Sequence, residues 1–529
     1  MVPDLLPKEI VMNRGQLLAF LWSLPAVLVL PSFASAEVPE ALRDLVIGAR
    51  QRPEVEVRIH ENVFRALPQT ITDALTSPPY LLWPDQTQVS AIPEDQERLA
   101  KWLSEEAQAL GHFDFQLRFE ETLDWRGMEV WSYHLEKSGL ELHDSFVNVY
   151  WDQGRILGIL NDVPHPVAFV ETPSLAPGIE RVYLPEREQD GSFRLVVGVV
   201  THEDLGSRIK TVIQGGGSSY TSYTPTQANL GFQRPRKFKE IRVTSGTFPD
   251  QIGVDSSGKV WFSQPLNDWL TKYDPATNTF TQIPTGAGSG PDGMIVDSQD
   301  FVWTGLYFNG RLGRYNQSTG NFRSWAAPLG MTSLAIPGET QLGTIWVTDH
   351  TVGAAEFDPV SKTWLQVVSV ANEHIVQPFE HRRSGDIYFT VYSTNKIGHK
   401  PVGGAYQGIP VHQGGPAFLA VLNDRVFYSE WVKARLGEYD IATGQIIEHN
   451  FPIPGEWGGP LGIAPNGDIV VGTRNRGYIM VFDPRIEEFI AYLIPTPNPG
   501  LKDGLTVARD GTIWFTESGV DKIASLGPR

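Results

Sequence analysis

Acidic residues recur at matching positions of a segment that repeats through the last 290 or so residues of the chain. Asp250, Asp292 and Asp503 each precede a short apolar run, and Glu517 ends the second run of the segment that Asp503 begins. Clustered carboxylates cannot all stay ionised without a cost in free energy, so some bind protons or a cation lies among them. Oxygen ligands suit Mg²⁺, Ca²⁺ or Mn²⁺, which can polarise a carbonyl or stabilise an enolate. We predict that these four acids bind a divalent metal, with Asp503 and Glu517 as the catalytic residues.

Other residues are predicted to lie beside these acids and contact a substrate. An arginine can hold a substrate carboxylate, although a salt bridge within an acidic rim explains it equally well. The histidine among the candidates directly follows an acid in the sequence IWVTDH. A purely structural role also stays open for the acids, because Asp in a Pro-Asp-Gly corner can cap its own turn. The predicted substrate-binding residues are Arg474, Trp431, Glu430 and His350.

The repeated segment is clearest at residues 503–527, DGLTVARDGTIWFTESGVDKIASLG. Asp-Gly between two apolar, β-rich runs is a strong hairpin signal. One large or apolar residue of the second run recurs every 39 to 44 residues, a period typical of four-stranded propeller blades. We therefore predict a seven-bladed β-propeller and number its repeats 1 to 7 by these anchors: Trp261, Trp303, Trp346, Tyr388, Phe427, Val470 and Trp514.

Hairpin geometry predicts that the acids meet at one mouth of the propeller. Residues equidistant from the turn face each other across an antiparallel ladder. Asp503 and Glu517 are equidistant from Asp510, and the same rule places Asp250 opposite Gln264 and Asp292 opposite Leu306. A β-bulge would shift this register by one residue.

The rest of the chain divides into three further segments. Residues 1–36 resemble a signal peptide that ends in Ala-Ser-Ala, although an uncleaved anchor stays open. Residues 37–213 combine helical spacing with later strands and predict an α+β domain. Residues 214–237, rich in Gly, Ser, Thr and Pro, predict a linker before the propeller at 238–529. The run FKEIRV at 238–243 is predicted to be the outer strand of the last blade, which would close the ring.

Composition limits the possible partners. The 529 residues carry a net charge of -18, which disfavours nucleic acid and anionic membranes. The chain has no cysteine, so disulfides, thiolate metal sites and cysteine nucleophiles are excluded. We predict an exported monomer, periplasmic or secreted, with no stable membrane span after signal cleavage. Its expected ligand at the mouth is a small molecule, a peptide or a glycan.

Several motifs carry a family resemblance over residues 238–529. PDGMIVDSQDFVWTG, DGLTVARDGTIWFTE, TNKIGH and RLGEYDIATG resemble the streptogramin B lyase (virginiamycin B lyase) family, seven-bladed propellers similar also to gluconolactonase-like and NHL-type propellers. Less closely, the N-terminal domain resembles PepSY and FTP-type modules; an unrelated α+β packing module is the alternative.

The resemblance implies an activity and several site residues. Lyases of this family open a cyclic depsipeptide by Mg²⁺-assisted elimination at an ester, using two histidines and a glutamate. The glutamate matches Glu517, whereas the histidine positions fall on Asp503 and Leu461. Two functions therefore stay open: a metal-assisted lyase or ester- and lactone-directed enzyme, or a non-catalytic propeller that binds a peptide, glycan or protein in the envelope.

Overall fold

The computed structural model describes most of the chain after residue 192 and shorter stretches before it. The described residues are 57–62, 67–73, 96–97, 99–100, 115–125, 128–152, 155–162, 166–169, 180–187, 193–216, 218–231, 236–328, 330–350, 352–370, 375–412 and 414–528. The predicted signal segment 1–36 lies outside them. None of the helices in these ranges has the length and apolar content needed to cross a membrane.

The described residues before the propeller are mainly β-strands. Residues 96–97 and 99–100 are helical, within the segment 37–213 in which helical spacing was found, and Leu99 is buried. The strands are β1 (Val57–Asn62), β2 (Leu67–Asp73), β3 (Gln116–Trp125), β4 (Met128–Lys137), β5 (Leu140–Asp152), β6 (Arg155–Asp162), β7 (Pro166–Phe169), β8 (Arg181–Arg187), β9 (Phe193–Asp204), β10 (Arg208–Gly215) and β11 (Ser218–Pro225). The last of these lies inside the predicted linker, where it carries Tyr220 and Tyr223 and pairs with β10 along its whole length.

Repeats 1 to 4 fold as separate four-stranded antiparallel sheets. The anchors Trp261 and Trp303 are fully buried, as expected for side chains between neighbouring blades. The strands, with the preceding β12 (Phe238–Arg242), are β13 (Ile252–Val254), β14 (Val260–Gln264), β15 (Trp269–Asp274), β16 (Thr279–Pro284), β17 (Pro291–Val296), β18 (Phe301–Leu306), β19 (Arg311–Asn316), β20 (Asn321–Ala326), β21 (Leu334–Glu339), β22 (Ile345–Asp349), β23 (Gly353–Asp358), β24 (Thr363–Ser369), β25 (Ile375–Glu380), β26 (Ile387–Val391), β27 (Lys396–Lys400) and β28 (Gln407–Pro410).

Repeat 5 does not form a separate sheet, which corrects the prediction of seven. Six sheets stand alone, whereas β29 (Pro416–Leu422), β30 (Arg425–Glu430), β31 (Arg435–Asp440) and β32 (Ile446–Asn450) belong to a sheet of 15 strands. The cause is parallel pairing of β11 with β32, where Ser222 lies opposite Glu448 and Tyr223 opposite His449. The strands before the propeller therefore continue directly into repeat 5.

Repeats 6 and 7 complete the propeller. Repeat 6 contains β33 (Gly458–Ile463), β34 (Ile469–Thr473), β35 (Tyr478–Asp483) and β36 (Glu488–Leu493), and repeat 7 contains β37 (Leu505–Val507), β38 (Ile513–Glu517) and β39 (Lys522–Leu526). The fourth strand of repeat 7 is β12, which pairs with β39 along its whole length. The predicted closure by residues 238–243 is confirmed.

Side-chain hydroxyls join neighbouring repeats next to the mouth. The residue before the end of the second strand is often Ser or Thr, and its hydroxyl donates to a backbone carbonyl on the next inner strand. The pairs are Thr516 to Asp250 at 2.7 Å, Ser263 to Asp292 at 2.6 Å, Thr348 to Val376 at 2.8 Å and Thr390 to Ala417 at 2.6 Å. Gly504 permits this close approach, because a Cβ there would lie 2.1 Å from the carbonyl oxygen of Asp250.

Left-handed Asp and Asn residues hold the loops that lead into the inner strands. Asp268, Asn395 and Asp521 have φ between 47° and 57°. The carboxylate of Asp521 accepts the backbone N–H groups of Gly246, Thr247 and Phe248 at 2.7 to 3.0 Å. Asp268 accepts the N–H groups of the loop before β17 in the same way. Each of these residues therefore orients the start of the next repeat.

We expect Asp521→Ala to destabilise the propeller, because it removes three hydrogen bonds to a carboxylate and places a β-carbon without a polar side chain at positive φ. The free energy of unfolding should fall by about 2 to 4 kcal/mol, measured by urea denaturation. Asp521→Asn keeps an acceptor oxygen and tolerates the left-handed region, so its loss should be smaller. Equal stability of Asp521→Ala and the unchanged protein would contradict this role.

Candidate functional site

A lysine lies among the predicted acids. The ammonium of Lys502 is 3.2 and 3.3 Å from the two carboxylate oxygens of Asp250 and 3.1 Å from Oδ2 of Asp503. All three side chains are buried, and the ammonium also lies 5.4 Å from the centre of the Phe248 ring. Two carboxylates and one ammonium are thereby held together at the starts of repeats 7 and 1.

Asp292 adds a third carboxyl group to this cluster. Its side chain is 1% exposed, and no hydrogen-bond donor among the described residues reaches either of its oxygens. It faces Asp250 closely enough for the two carboxyl groups to share a hydrogen bond when one is protonated. Burial and the charge of Asp250 raise the pKa of Asp292 well above its usual range, and burial raises the pKa of Asp250 to about 6. The pair therefore retains a proton at pH values where exposed aspartates are ionised.

The inner strands place these acids much as the sequence predicts, with one shift in register. The ladders of repeats 1 and 7 have the predicted register, with Ile252 opposite Phe262 and Leu505 opposite Phe515. In repeat 2 a bulge between Pro291 and Met294 puts Pro291, not Asp292, opposite Leu306. Similar bulges occur at the starts of the inner strands of repeats 3 to 6.

The ammonium of Lys502 affects whether the predicted metal ion can bind. An ammonium already lies where Asp250 and Asp503 would bind a cation, so a divalent ion at this position would have to displace it. No group of three or more His, Asp or Glu side chains within the described ranges is arranged to hold a metal ion. The residues therefore do not fit the predicted Mg²⁺ or Ca²⁺ site, and Lys502 supplies positive charge instead.

Glu517 lies in a different cluster from the three aspartates. Its side chain is fully buried, and the charged groups that act on it are Glu240 and Lys522, whose ammonium is 3.9 Å away. Lys522 also binds Glu240 at 3.1 Å, and Thr496 donates to the same carboxylate. Burial, together with the charge of Glu240, raises the pKa of Glu517 to about 7. These contacts place Glu517 with Glu240 and Lys522, and not with Asp503 in one metal site as predicted.

Two aromatic rings border the acid cluster on the side of repeats 2 and 3. Tyr307 follows β18 and contacts His350 at 5.6 Å between ring centres, which places the predicted histidine against an aromatic side chain. Burial and the charges of Asp292 and Asp349 raise the pKa of the Tyr307 hydroxyl, so it stays protonated. Asp349 itself accepts the backbone N–H groups of Thr332 and Ser333 and therefore holds a loop.

Two predicted substrate-binding residues contact each other. The guanidinium carbon of Arg474 lies 4.2 Å from the ring centre of Trp431, a distance typical of cation–π contact. Trp431 also meets the ring of Tyr392 at 5.1 Å and packs on the same buried apolar cluster as Tyr307. Arg474 and Trp431 follow the second strands of repeats 6 and 5, so they lie toward the same mouth as the acids.

Glu430, the fourth predicted substrate-binding residue, is engaged inside repeat 5. It is fully buried and hydrogen bonds to Arg435, whose guanidinium also lies 2.7 Å from Glu448. Glu448 accepts a hydrogen bond from the hydroxyl of Tyr220 on β11 and lies 2.7 Å from His412. Glu430 thus belongs to an ionic network between the propeller and the preceding strands, and its role in substrate binding stays a prediction.

Lys502 is the site residue that sequence reasoning missed. Repeats 1 and 2 have Pro249 and Pro291 before their acids, whereas repeat 7 has Lys502 in that position. A charged residue in place of Pro distinguishes repeat 7 from repeats 1 and 2 at this position. Comparing the repeats with one another would have identified it.

Comparisons with known proteins support the propeller. The family described as "SMP-30/Gluconolactonase/LRE-like region" matches residues 276–351. Virginiamycin B lyase from Staphylococcus aureus is similar in structure, with 18% sequence identity over 56% of this chain and 100% of its own, and a TM-score of 0.51. A streptogramin B lyase structure gives 19% identity over 56% of this chain and 98% of its own, also with a TM-score of 0.51. No curated protein sequence matches. At these identities the likeness shows the fold.

The raised pKa of Glu517 predicts a pH-dependent stability. The folded protein retains a proton on Glu517 between pH about 4.5 and 7, so this stabilisation is present at low pH and lost as pH rises through 7. We expect Glu517→Gln, which resembles the protonated acid, to change Tm little at pH 5 and to raise it at pH 8.

The matched control is Glu488→Gln on the outer strand β36. It should leave the difference in Tm between pH 5 and pH 8 unchanged. If Glu517→Gln has the same pH profile of Tm as the unchanged protein, the protonation of Glu517 plays no part in stability.

Proposed function

We propose that the mouth containing Asp250, Asp292, Asp503 and Lys502 is the active site of a C–O lyase or of an ester- or lactone-directed enzyme. The observation that carries this proposal is three buried carboxyl groups and one ammonium in a single cluster, with the pKa of Asp250 and Asp292 raised. A retained proton beside ionised carboxylates supplies an acid and a base within one site. The similarity to streptogramin B lyase structures and to the gluconolactonase-like region agrees with this chemistry.

The residues suggest distinct roles in the reaction. A carboxylate of the cluster, best Asp503, takes a proton either from the carbon next to the one that bears the ester oxygen, where an adjacent second carbonyl makes it acidic, or from an attacking water. Lys502 stabilises the negative charge that then develops on the oxygen of that second carbonyl in elimination, or of the ester carbonyl in hydrolysis. In elimination a carbon–carbon double bond forms as the C–O bond breaks and the substrate's carboxylate leaves; in hydrolysis Asp292 gives its proton to the departing alkoxide oxygen. Arg474 and Trp431 would bind the rest of the substrate.

Three further features also belong to this proposal: the number of repeats in the ring, the exported location and a bound metal ion. We place repeat 5 in a ring of seven, because β29 contacts the inner strands of repeats 4 and 6 and Thr390 donates to Ala417 as in other repeats. The exported location, in periplasm or medium, rests on the segment 1–36 and the absence of cysteine. A bound Mg²⁺ or Ca²⁺ would require Lys502 to move aside.

A binding propeller is the second candidate function. It is favoured by the contact of Arg474 with Trp431, a cation on an aromatic ring that could hold a peptide or glycan without any acid or base. The ion pairs of Lys502 also favour a binding propeller, because a buried, ion-paired cluster can contribute to stability without taking part in a reaction. A binding module would tolerate loss of the mouth acids, whereas an enzyme would not.

We expect Asp503→Asn to lower kcat/KM at least 100-fold on whichever member of an ester and lactone panel the protein turns over. The exposed turn variant Asp510→Asn is the control and should keep full activity. An unsaturated product would identify elimination, and a hydroxy acid would identify hydrolysis. If no ester or lactone of the panel reacts, and Asp503→Asn binds the panel members as tightly as the unchanged protein does, the binding function is favoured instead.

Metal dependence is measured separately by thermal unfolding with Mg²⁺ or Ca²⁺. A bound ion would raise Tm as its concentration exceeds Kd. We expect no shift for the unchanged protein and a shift for Lys502→Met, in which the carboxylates lose their ammonium. A shift of equal size in both proteins would show that a metal binds beside Lys502 and would restore the predicted metal site.

A further inference from the structure

The propeller has a second opening at the opposite end of its inner strands. The acids lie at the beginnings of β17 and β37, whereas a cavity of about 750 Å³ lies where the inner strands end. Its lining includes Val296, Leu422, Ile463 and Val507, from repeats 2, 5, 6 and 7. A volume of this size is typical of pockets for small organic ligands. The cavity is distinct from the acidic mouth.

Apolar side chains line part of this cavity, and polar groups line the rest. Val296, Ile463 and Val507 are half-buried, and Leu461 and Leu505 lie deeper, each 7% exposed. Phe379 from the end of β25 adds an aromatic side chain. Such walls favour a ligand with an apolar body, because burying its surface releases about 25 cal/mol per Å².

Two exposed arginines lie on one side of the cavity. The turn after β25 contributes His381, Arg382 and Arg383 to the lining. Asp424 pairs with Arg383 at 2.5 Å and with His381 at 3.3 Å. No carboxylate within the described residues lies within ion-pair distance of Arg382, and the side chain of Gln341 hydrogen bonds to its backbone carbonyl. In a protein with a net charge of -18, an arginine beside an apolar cavity is complementary to an anionic group.

We propose that this cavity binds a small organic anion that joins an apolar body to a carboxylate or sulfonate. The apolar body contacts the ends of the inner strands, and the anionic group binds the guanidinium of Arg382. A free inorganic anion would leave the apolar walls unfilled, and a neutral apolar molecule would leave Arg382 without a partner. The site does not depend on the proposed reaction at the acidic mouth.

Isothermal titration calorimetry with naphthalenesulfonate on the full chain tests this site. Naphthalenemethanol presents the apolar body alone, and inorganic sulfate presents the anion alone. We expect naphthalenesulfonate to bind at least about 10-fold more tightly than either. Arg382→Gln should raise its Kd about 10-fold, the size expected from loss of one charge-assisted hydrogen bond. Val507→Asp should also weaken binding, because it places a negative charge in the wall.

Two control variants test whether the ligand binds in this cavity and not elsewhere on the protein. Arg323→Gln removes an exposed arginine from the outer strand β20, and Asp503→Asn changes the acidic mouth; both should leave Kd unchanged. Absence of binding at millimolar naphthalenesulfonate would overturn the proposal. So would equal affinity for naphthalenemethanol, or an equal effect of Arg382→Gln and Arg323→Gln. A loss of binding in Asp503→Asn alone would place the ligand at the other mouth.

Discussion

The hydrogen bonds between the second strand of one repeat and the inner strand of the next determine the geometry of the acidic mouth. Two of the accepting carbonyls belong to Asp250 and Asp292 themselves, so the backbone of both site residues is held by a hydroxyl of the preceding repeat. Buried hydroxyls and carbonyls must be paired, which makes these contacts specific. The glycine of the Asp-Gly pair serves the same purpose. Gly504 allows the adjacent inner strand to approach, and this explains the motif better than a turn-capping aspartate does.

The electrostatics of the mouth follow from close packing. Three carboxyl groups are buried within a region that contains one ammonium, so at least one negative charge is removed most readily by protonation. Lys502 is next to Asp503 in the chain yet binds the acid of repeat 1 as well, so it links the last repeat to the first. Removal of Lys502 would leave two buried carboxylates without their cation, a change that is strongly unfavourable in proteins.

The sequence predicted repeating structure well and individual contacts less well. The repeat period, the buried anchors, the closing strand and the position of the three aspartates follow from local patterns that each repeat carries. The shift at Asp292 depends on a bulge, and the separation of Glu517 from Asp503 depends on their cations, because Asp503 precedes β37 and pairs with Lys502 whereas Glu517 lies beside Lys522. Neither can be read from distances to a turn. The merging of repeat 5 with the preceding strands depends on β11, whose polar composition resembles a linker. Its tyrosines, which reach Glu448 and His449, were the available signal.

The pairing of β12 with β39 also sets an order of events in time. A chain is synthesised from its N-terminus, and β12 cannot pair until β39 has been made. Until repeat 7 has been made, repeat 1 has no neighbour on one side. Contacts between such distant segments form slowly. The ring therefore closes only after all of its other strands have been made, and until then the strand edges of repeat 1 remain accessible to chaperones.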